Sequence, residues 1–189
     1  VSLRKEGIPM KCASCTTNNC YITGQNCLGL ETEEIKKLYT GDDQKLMESA
    51  ACTEGNFYNQ LTLIEQTRQL CEYMGYKKIG LAFCVGLKKE AALVNAYFSK
   101  FFEVESAICK ICGTAKSDLG LEQIKPEARE SMCNPIVQAK AFNDAGTEFN
   151  VSMGLCVGHD ALFNKHSNAP VTVLVAKDRV LAHNPLGAI

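Results

Sequence analysis

The sequence predicts an α/β protein: a three-layer, Rossmann-like domain with a mostly parallel sheet, preceded by a small cysteine-rich segment. Three observations lead there. From residue 78 onward short apolar runs alternate with amphipathic stretches. Turn-forming residues (Gly75, Gly86, Asn134-Pro135, Gly146, Gly158) stand at the joints. Four cysteines crowd residues 11–30, where little apolar material is left to pack. The expected organisation is a metal-binding segment over 1–30 and an α/β domain over 31–189.

Each element has a local reason. Thr32 and Asp42 are the expected N-caps of short helices over 32–39 and 42–53. The stretch from Asn56 places Phe57, Leu61, Ile64, Cys71 and Met74 near one helical face, and Gly75 offers a left-handed stop. Residues 78–84 read as a buried strand, followed by a helix with Leu87, Ala91, Val94 and Phe98 on one side. A second strand covers 102–109. Asn134-Pro135 opens a helix that ends near Gly146. A third strand over 149–155, a helix over 159–166 and a fourth strand over 171–176 follow. Residues 180–183 are expected to pair back as an antiparallel hairpin. Strands alternating with helices give a parallel sheet covered on both faces.

Composition narrows the function. A chain of 189 residues, 46% of them apolar, supports one ordinary domain with an appendage. Lys plus Arg number 20 against 21 Asp plus Glu, so no basic field attracts nucleic acid or an anionic membrane. No apolar run reaches the length of a membrane span, and the opening residues lack a signal-peptide core, with Met10 a candidate natural start. Eleven cysteines, an odd number in a chain this long, fit a reduced cytoplasmic setting better than a secreted disulfide scaffold.

The first cysteine group is Cys12-x2-Cys15-x4-Cys20-x6-Cys27. A Cys-x-x-Cys step points two thiolates at one ion, and two more complete a tetrahedron. Metal binding also supplies folding free energy that so polar a segment lacks. Zinc and an iron–sulfur cluster both accept four thiolates. The plainer alternative is a pair of disulfides or unligated thiols.

The second group comes from a repeat. Cys84-Val85-Gly86 and Cys156-Val157-Gly158 both stand where a strand hands over to a helix. In a parallel sheet those joints share the carboxyl edge, where open α/β sheets bind ligands. Cys109 or Cys112 closes the second strand, Cys133 precedes the Asn134-Pro135 helix start, and His159 follows Cys156 by three residues. Cys84, Cys109, Cys133, Cys156 and His159 are therefore expected to converge, as a second metal site or as a reactive thiol with a histidine base. The catalytic candidates are Cys84, Cys156 and His159. Ordinary core packing is the competing explanation for each cysteine taken singly.

Other residues carry plainer expectations. Cys71 and Cys52 read as packing residues and His166 as a solvated helix end. His183 should return to the amino edge with the hairpin, and Lys177-Asp178-Arg179 should form a polar turn. No Gly-x-Gly-x-x-Gly, phosphate loop or Gly-x-Ser-x-Gly elbow supports a nucleotide or hydrolase reading.

The stretches GLAFCVGLKKEA, MCNPIVQA, GLCVGHDALF and APVTVLVAKDRVLAHNP, with the early cysteines, resemble domain of unknown function 1847 over about Cys12 to Pro185. That family occurs in anaerobic bacteria and archaea, and its members are usually described as predicted metal-binding proteins. The resemblance implies that Cys12, Cys15, Cys20, Cys27, Cys84, Cys109, Cys133, Cys156 and His159 sit in family motifs. It leaves Cys52, Cys71 and Cys112 outside them, as packing residues, and it implies no particular reaction.

Three functions follow as expectations. The first is a metal-binding protein, zinc or iron–sulfur, with the N-terminal centre and a second Cys/His site. The second is a metal-independent thiol redox or sulfur-transfer enzyme using Cys156 or Cys84, with His159 as base. The third is a non-catalytic sensor or assembly module. A metal ion is the one partner the residues specify.

Overall fold

The computed structural model describes residues 10–189 and divides the chain into two units, Val1–Cys52 and Thr53–Ile189. The expectation concerning the first nine residues lies outside the described ones. In the first unit, Cys12–Ser14 form one tight helical turn, followed by α1 (Asn19–Ile22) and α2 (Thr32–Lys36). Helix α3 (Gly41–Phe57) begins here and runs past the unit boundary. The cap of α2 is Glu31 rather than Thr32. Glu31 and Glu34 cap each other reciprocally, a longer-armed version of the usual Ser/Thr arrangement.

The second unit corrects the expectation of one helix running on from Asn56. Helix α3 ends at Phe57 and α4 starts at Leu63 (Leu63–Met74). The break is chemical: the Thr62 N–H and hydroxyl both donate to Glu65 Oε2, at 2.8 and 2.6 Å, closing a capping box. Those bonds also hold the Glu65 carboxyl below its ordinary range. Gly75 stops α4 at φ 78°, and the Tyr76 N–H returns to the Cys71 carbonyl at 3.0 Å.

Strands β1 (Lys78–Phe83), β2 (Glu103–Ile108), β3 (Phe149–Met153) and β4 (Val171–Val175) pair in parallel in the order β2-β1-β3-β4. Helices α5 (Lys88–Phe98), α6 (Pro135–Ala145) and α7 (His159–His166) supply the crossovers. Alternate strand residues face opposite layers, as the pleat requires. Ile79, Leu81, Phe149, Val151 and Met153 pack with Cys71 of α4 and with Ala91 and Phe98 of α5. Ala82 and Ala107 pack with Ala139 and Phe142 of α6 and Phe163 of α7. A Cβ at Gly80 would overlap Asn150 and the Phe142 ring, so only glycine lets α6 approach the sheet here. The β-α alternation thus folds as the apolar pattern predicts.

The hairpin does not form. Residues 180–183 make a turn, with Ala182 and His183 at φ 48° and 67°. Asp178 directs it: its Oδ1 accepts from the Val180 and Leu181 N–H groups, and its own N–H donates to His183 Nδ1 at 3.1 Å. Bonds to a local carboxylate replace the ladder that a fifth strand would need. Among the described residues, no helix is long and apolar enough to cross a membrane.

Candidate functional site

The strand order reverses between β1 and β3, and the crevice at their carboxyl ends is where such sheets accept ligands. Cys84 follows β1 directly, and Gly154, Leu155 and Cys156 follow β3. Cys84 is buried and Cys156 half-buried. Cys109 follows β2, buried, and its Sγ accepts the Val85 N–H at 3.2 Å.

Cys133 arrives by a longer route. Residues 114–132 leave the carboxyl edge as an excursion closed by an Ala115–Ser131 bridge and a 2.9 Å Lys116–Glu130 ion pair. The returning chain is pinned where the Asn134 N–H donates to the Cys109 carbonyl at 2.8 Å. That bond sets the two cysteines side by side, close enough for their thiols to act on each other. The interaction splits their acidities. Cys109, buried and donating, is pushed far up, while Cys133, accepting and facing Lys110 and His159, is pulled down to about 5. The Lys110 ammonium is itself held in place by the Ser131 carbonyl.

Two further cations complete the edge. Lys177 Nζ lies 3.3 Å from Cys84 Sγ, and Arg179 Nη2 lies 3.0 Å from Cys156 Sγ. Arg179 also feels Cys84 and Cys133, which together with the Cys156 contact raise its already high pKa. His159 opens α7 half-buried, with a buried Nδ1 that has no hydrogen-bond partner among the described residues.

The edge therefore brings together Cys84, Cys109, Cys133, Cys156 and His159, the set expected from the turn positions. Lys110, Lys177 and Arg179 were not expected there. Lys177 and Arg179 read as a polar turn because a Lys-Asp-Arg run after a strand is most simply solvated; the hairpin expectation carried only His183 to the amino edge. The Asp-capped turn keeps the chain at the carboxyl edge instead, and His183 with it.

The N-terminal cysteines are all exposed. Cys12, Cys15 and Cys27 line one concavity with Met10, Lys11 and Leu28, while Cys20 lies on α1. Hydrogen bonds from the Asn18 and Thr17 backbone lower the pKa of Cys15. Four soft sulfur donors in one short segment suit a soft or borderline metal in chemical type. Among the described residues, no group of three or more His, Cys, Asp or Glu stands at metal-holding spacing.

Of the remaining cysteines, Cys71 is buried as expected, and burial pushes its thiol up to about 12. Cys52 and Cys112 are exposed, contrary to the packing assignment. Cys112 sits at φ 67° in the tight turn after β2, outside the layer that buries Cys109, and Cys52 sits on an outer position of α3. His166 is exposed at the end of α7, as expected.

Comparison with known proteins agrees with the resemblance drawn from the motifs. The family model described as a protein of unknown function, DUF1847, matches residues 24–174. That range contains Cys27 and the whole Cys84–His159 group; Cys12, Cys15 and Cys20 precede it, and Lys177 and Arg179 follow it. An uncharacterised protein of Methanocaldococcus jannaschii is 44% identical over 181 residues, which cover 95% of this chain and 93% of that protein. No solved structure matches the chain. With most of its length inside the family model and a full-length archaeal relative, the chain belongs to the DUF1847 family.

Proposed function

We propose that the protein carries out thiol chemistry at the carboxyl edge of its sheet, with Cys133 as the attacking thiolate and Cys109 as its partner thiol. The observation that carries this reading is the Asn134–Cys109 backbone bond, which brings Cys133 beside Cys109, where Lys110 and His159 favour its thiolate. A thiolate is the nucleophile, and a neighbouring thiol is the natural resolving group.

The reaction class is thiol–disulfide exchange. The Cys133 thiolate attacks one sulfur of a disulfide substrate, forming a mixed disulfide and expelling one thiolate. Cys109 gives its proton to that leaving thiolate and attacks the Cys133 sulfur. The Cys109–Cys133 disulfide forms and the second half of the substrate leaves. Two electrons pass from the protein to the substrate, which departs as two thiols once the last thiolate takes a proton from water. A reducing cytoplasmic setting, in which both cysteines start as thiols, fits this direction.

The test is alkylation of metal-free, reduced protein with iodoacetamide near neutral pH, read by peptide mass. One thiol, Cys133, labels far faster than the others. Uniform slow labelling ends the reading.

The N-terminal segment is read as a metal site held by Cys12, Cys15, Cys20 and Cys27, supported by the ligand spacing and by the concavity that Cys12, Cys15 and Cys27 share. Zinc there would serve structure, and an iron–sulfur cluster would serve electron transfer. Metal and acid-labile sulfide content of anaerobically purified protein decides between them, and absence of both removes the site. A second metal held by Cys84, Cys109, Cys133, Cys156 and His159 is the other reading of the sheet edge, favoured by the unpartnered His159 Nδ1.

A further inference from the structure

We infer that the carboxyl edge of the sheet binds a small anionic sulfur compound, one bearing a carboxylate or a sulfur oxyanion, and that Lys177 and Arg179 are the residues that bind its charge. This rests on the thiol reading above and deepens it by naming the substrate class.

The first argument is charge. An anionic substrate and an attacking thiolate repel, so a pocket that accepts both needs positive charge without its own carboxylate partners. Four cations elsewhere pair with acids, Lys36 with Glu33, Arg68 with Glu72, Lys78 with Glu103 and Lys116 with Glu130, and Lys110 and Arg129 bond to backbone carbonyls. Among the described residues, Lys177 and Arg179 form no ion pair with a carboxylate, and their contacts are to sulfur. The acid between them, Asp178, spends its Oδ1 on the Val180 and Leu181 N–H groups.

The second argument is accommodation. Lys177 passes beside two glycines. A Cβ on Gly86 would stand 3.7 Å from its Nζ, and one on Gly154 would stand 3.8 Å from its Cδ while striking Leu87. Both distances to the lysine are ordinary van der Waals contact, so its stem packs along these glycines. The third is fixation. The turn carrying both cations is closed twice, by Asp178 N–H to His183 Nδ1 at 3.1 Å and by His183 N–H to the Asp178 carbonyl at 2.8 Å. A merely solvated lysine and arginine need no such clamp. Size follows from burial: Cys109 is buried and Cys133 half-buried, so the reacting sulfurs lie inside the rim, within reach of a small molecule.

The experiment compares two alkylating reagents of similar size and different charge, iodoacetate and iodoacetamide, on the full chain at low ionic strength. Both meet the same thiolate population, so the ratio of their rates at Cys133 isolates electrostatic attraction from thiol acidity. At an unassisted thiolate the neutral amide is faster, because iodoacetate is repelled. The native chain is expected to give a ratio of one or more. Lys177→Met with Arg179→Gln should lower it roughly tenfold, and Arg179→Lys should keep most of it. A ratio below one that neither change moves overturns the inference. If no thiol reacts quickly with either reagent, the thiol reading fails by itself, and sodium sulfate then decides the anion site. Stabilisation against heating by sulfate relative to chloride at equal ionic strength, lost in the double variant, upholds it; equal effects on both proteins overturn it.

Discussion

Lys177 reaches Cys84 across the end of a strand that separates them: β4, which carries the lysine, is not a neighbour of β1, and β3 lies between. The lysine stem crosses beside Gly154, the residue that follows β3, on its way to the 3.3 Å contact.

Gly154→Ala is therefore expected to cost more than loss of a flexible residue. Its φ of +63° is unfavourable for alanine, and the new methyl meets the Leu87 side chain. About 2–3 kcal/mol should be lost in urea denaturation. An unchanged midpoint would show that the handover has slack that the packing does not suggest.

The alkylation profile against pH has a definite sign. Because the Cys133 thiol is lowered to about 5, its thiolate is already formed at neutral pH. Its rate should stay level from pH 8 down to roughly 6 and fall only as the pH drops through the lowered value. An ordinary thiol falls about tenfold per unit over that whole range. Cys109→Ala removes the donor and should move the fall to higher pH, while Cys133→Ser abolishes the fast phase. A native profile rising steadily to pH 8 would sink the assignment.

Cys12→Ser with Cys15→Ser should reduce bound metal by one site's worth, measured by elemental analysis. The fast thiol should be unaffected, because it depends on residues of the sheet edge. Unchanged metal content would move the metal elsewhere.

Asp178→Ala should free the turn that follows β4. Two N–H groups lose their acceptor, and trypsin should cut after Lys177 and Arg179 several times faster than in the native chain, as expected for a loop whose local clamp costs roughly 1–2 kcal/mol to break. Equal cleavage rates would mean that the turn is held by something other than this carboxylate.

Much of the sheet was legible because its signals are local. The apolar runs of β1 and β3, the Pro135 start of α6 and the glycine stops at Gly75 and Gly146 each carry their own reason. The position of four cysteines on one edge followed from topology alone, since strand ends in a parallel sheet share a side. What the sequence hid was which contacts close at long range. The Cys109–Cys133 pairing depends on a backbone bond across 25 residues, from Asn134 to Cys109, and nothing in either motif announces it. The misread hairpin had a similar origin. Val180 to His183 carries plausible strand residues, but a single carboxylate two positions earlier captures their N–H groups first. That misplacement sent His183 to the wrong edge, while Lys177 and Arg179 were set aside because a Lys-Asp-Arg run reads as a solvated turn. The break before Leu63 was likewise decided by one capping pair against a continuous apolar face.

The order in which the edge is supplied along the chain has a consequence for biosynthesis. Cys84, Cys109, Cys133 and Cys156 are all translated before Lys177 and Arg179, the cations that face two of them. A ribosome adds residues from the N-terminus, and domains complete only when their last elements emerge. During that interval the sulfurs of Cys84 and Cys156 stand without the cations that face them, in a chain whose fourth strand is still missing. The edge is completed only by the turn after β4, so a nascent or truncated chain carries the four sulfurs but not the two cations that face Cys84 and Cys156.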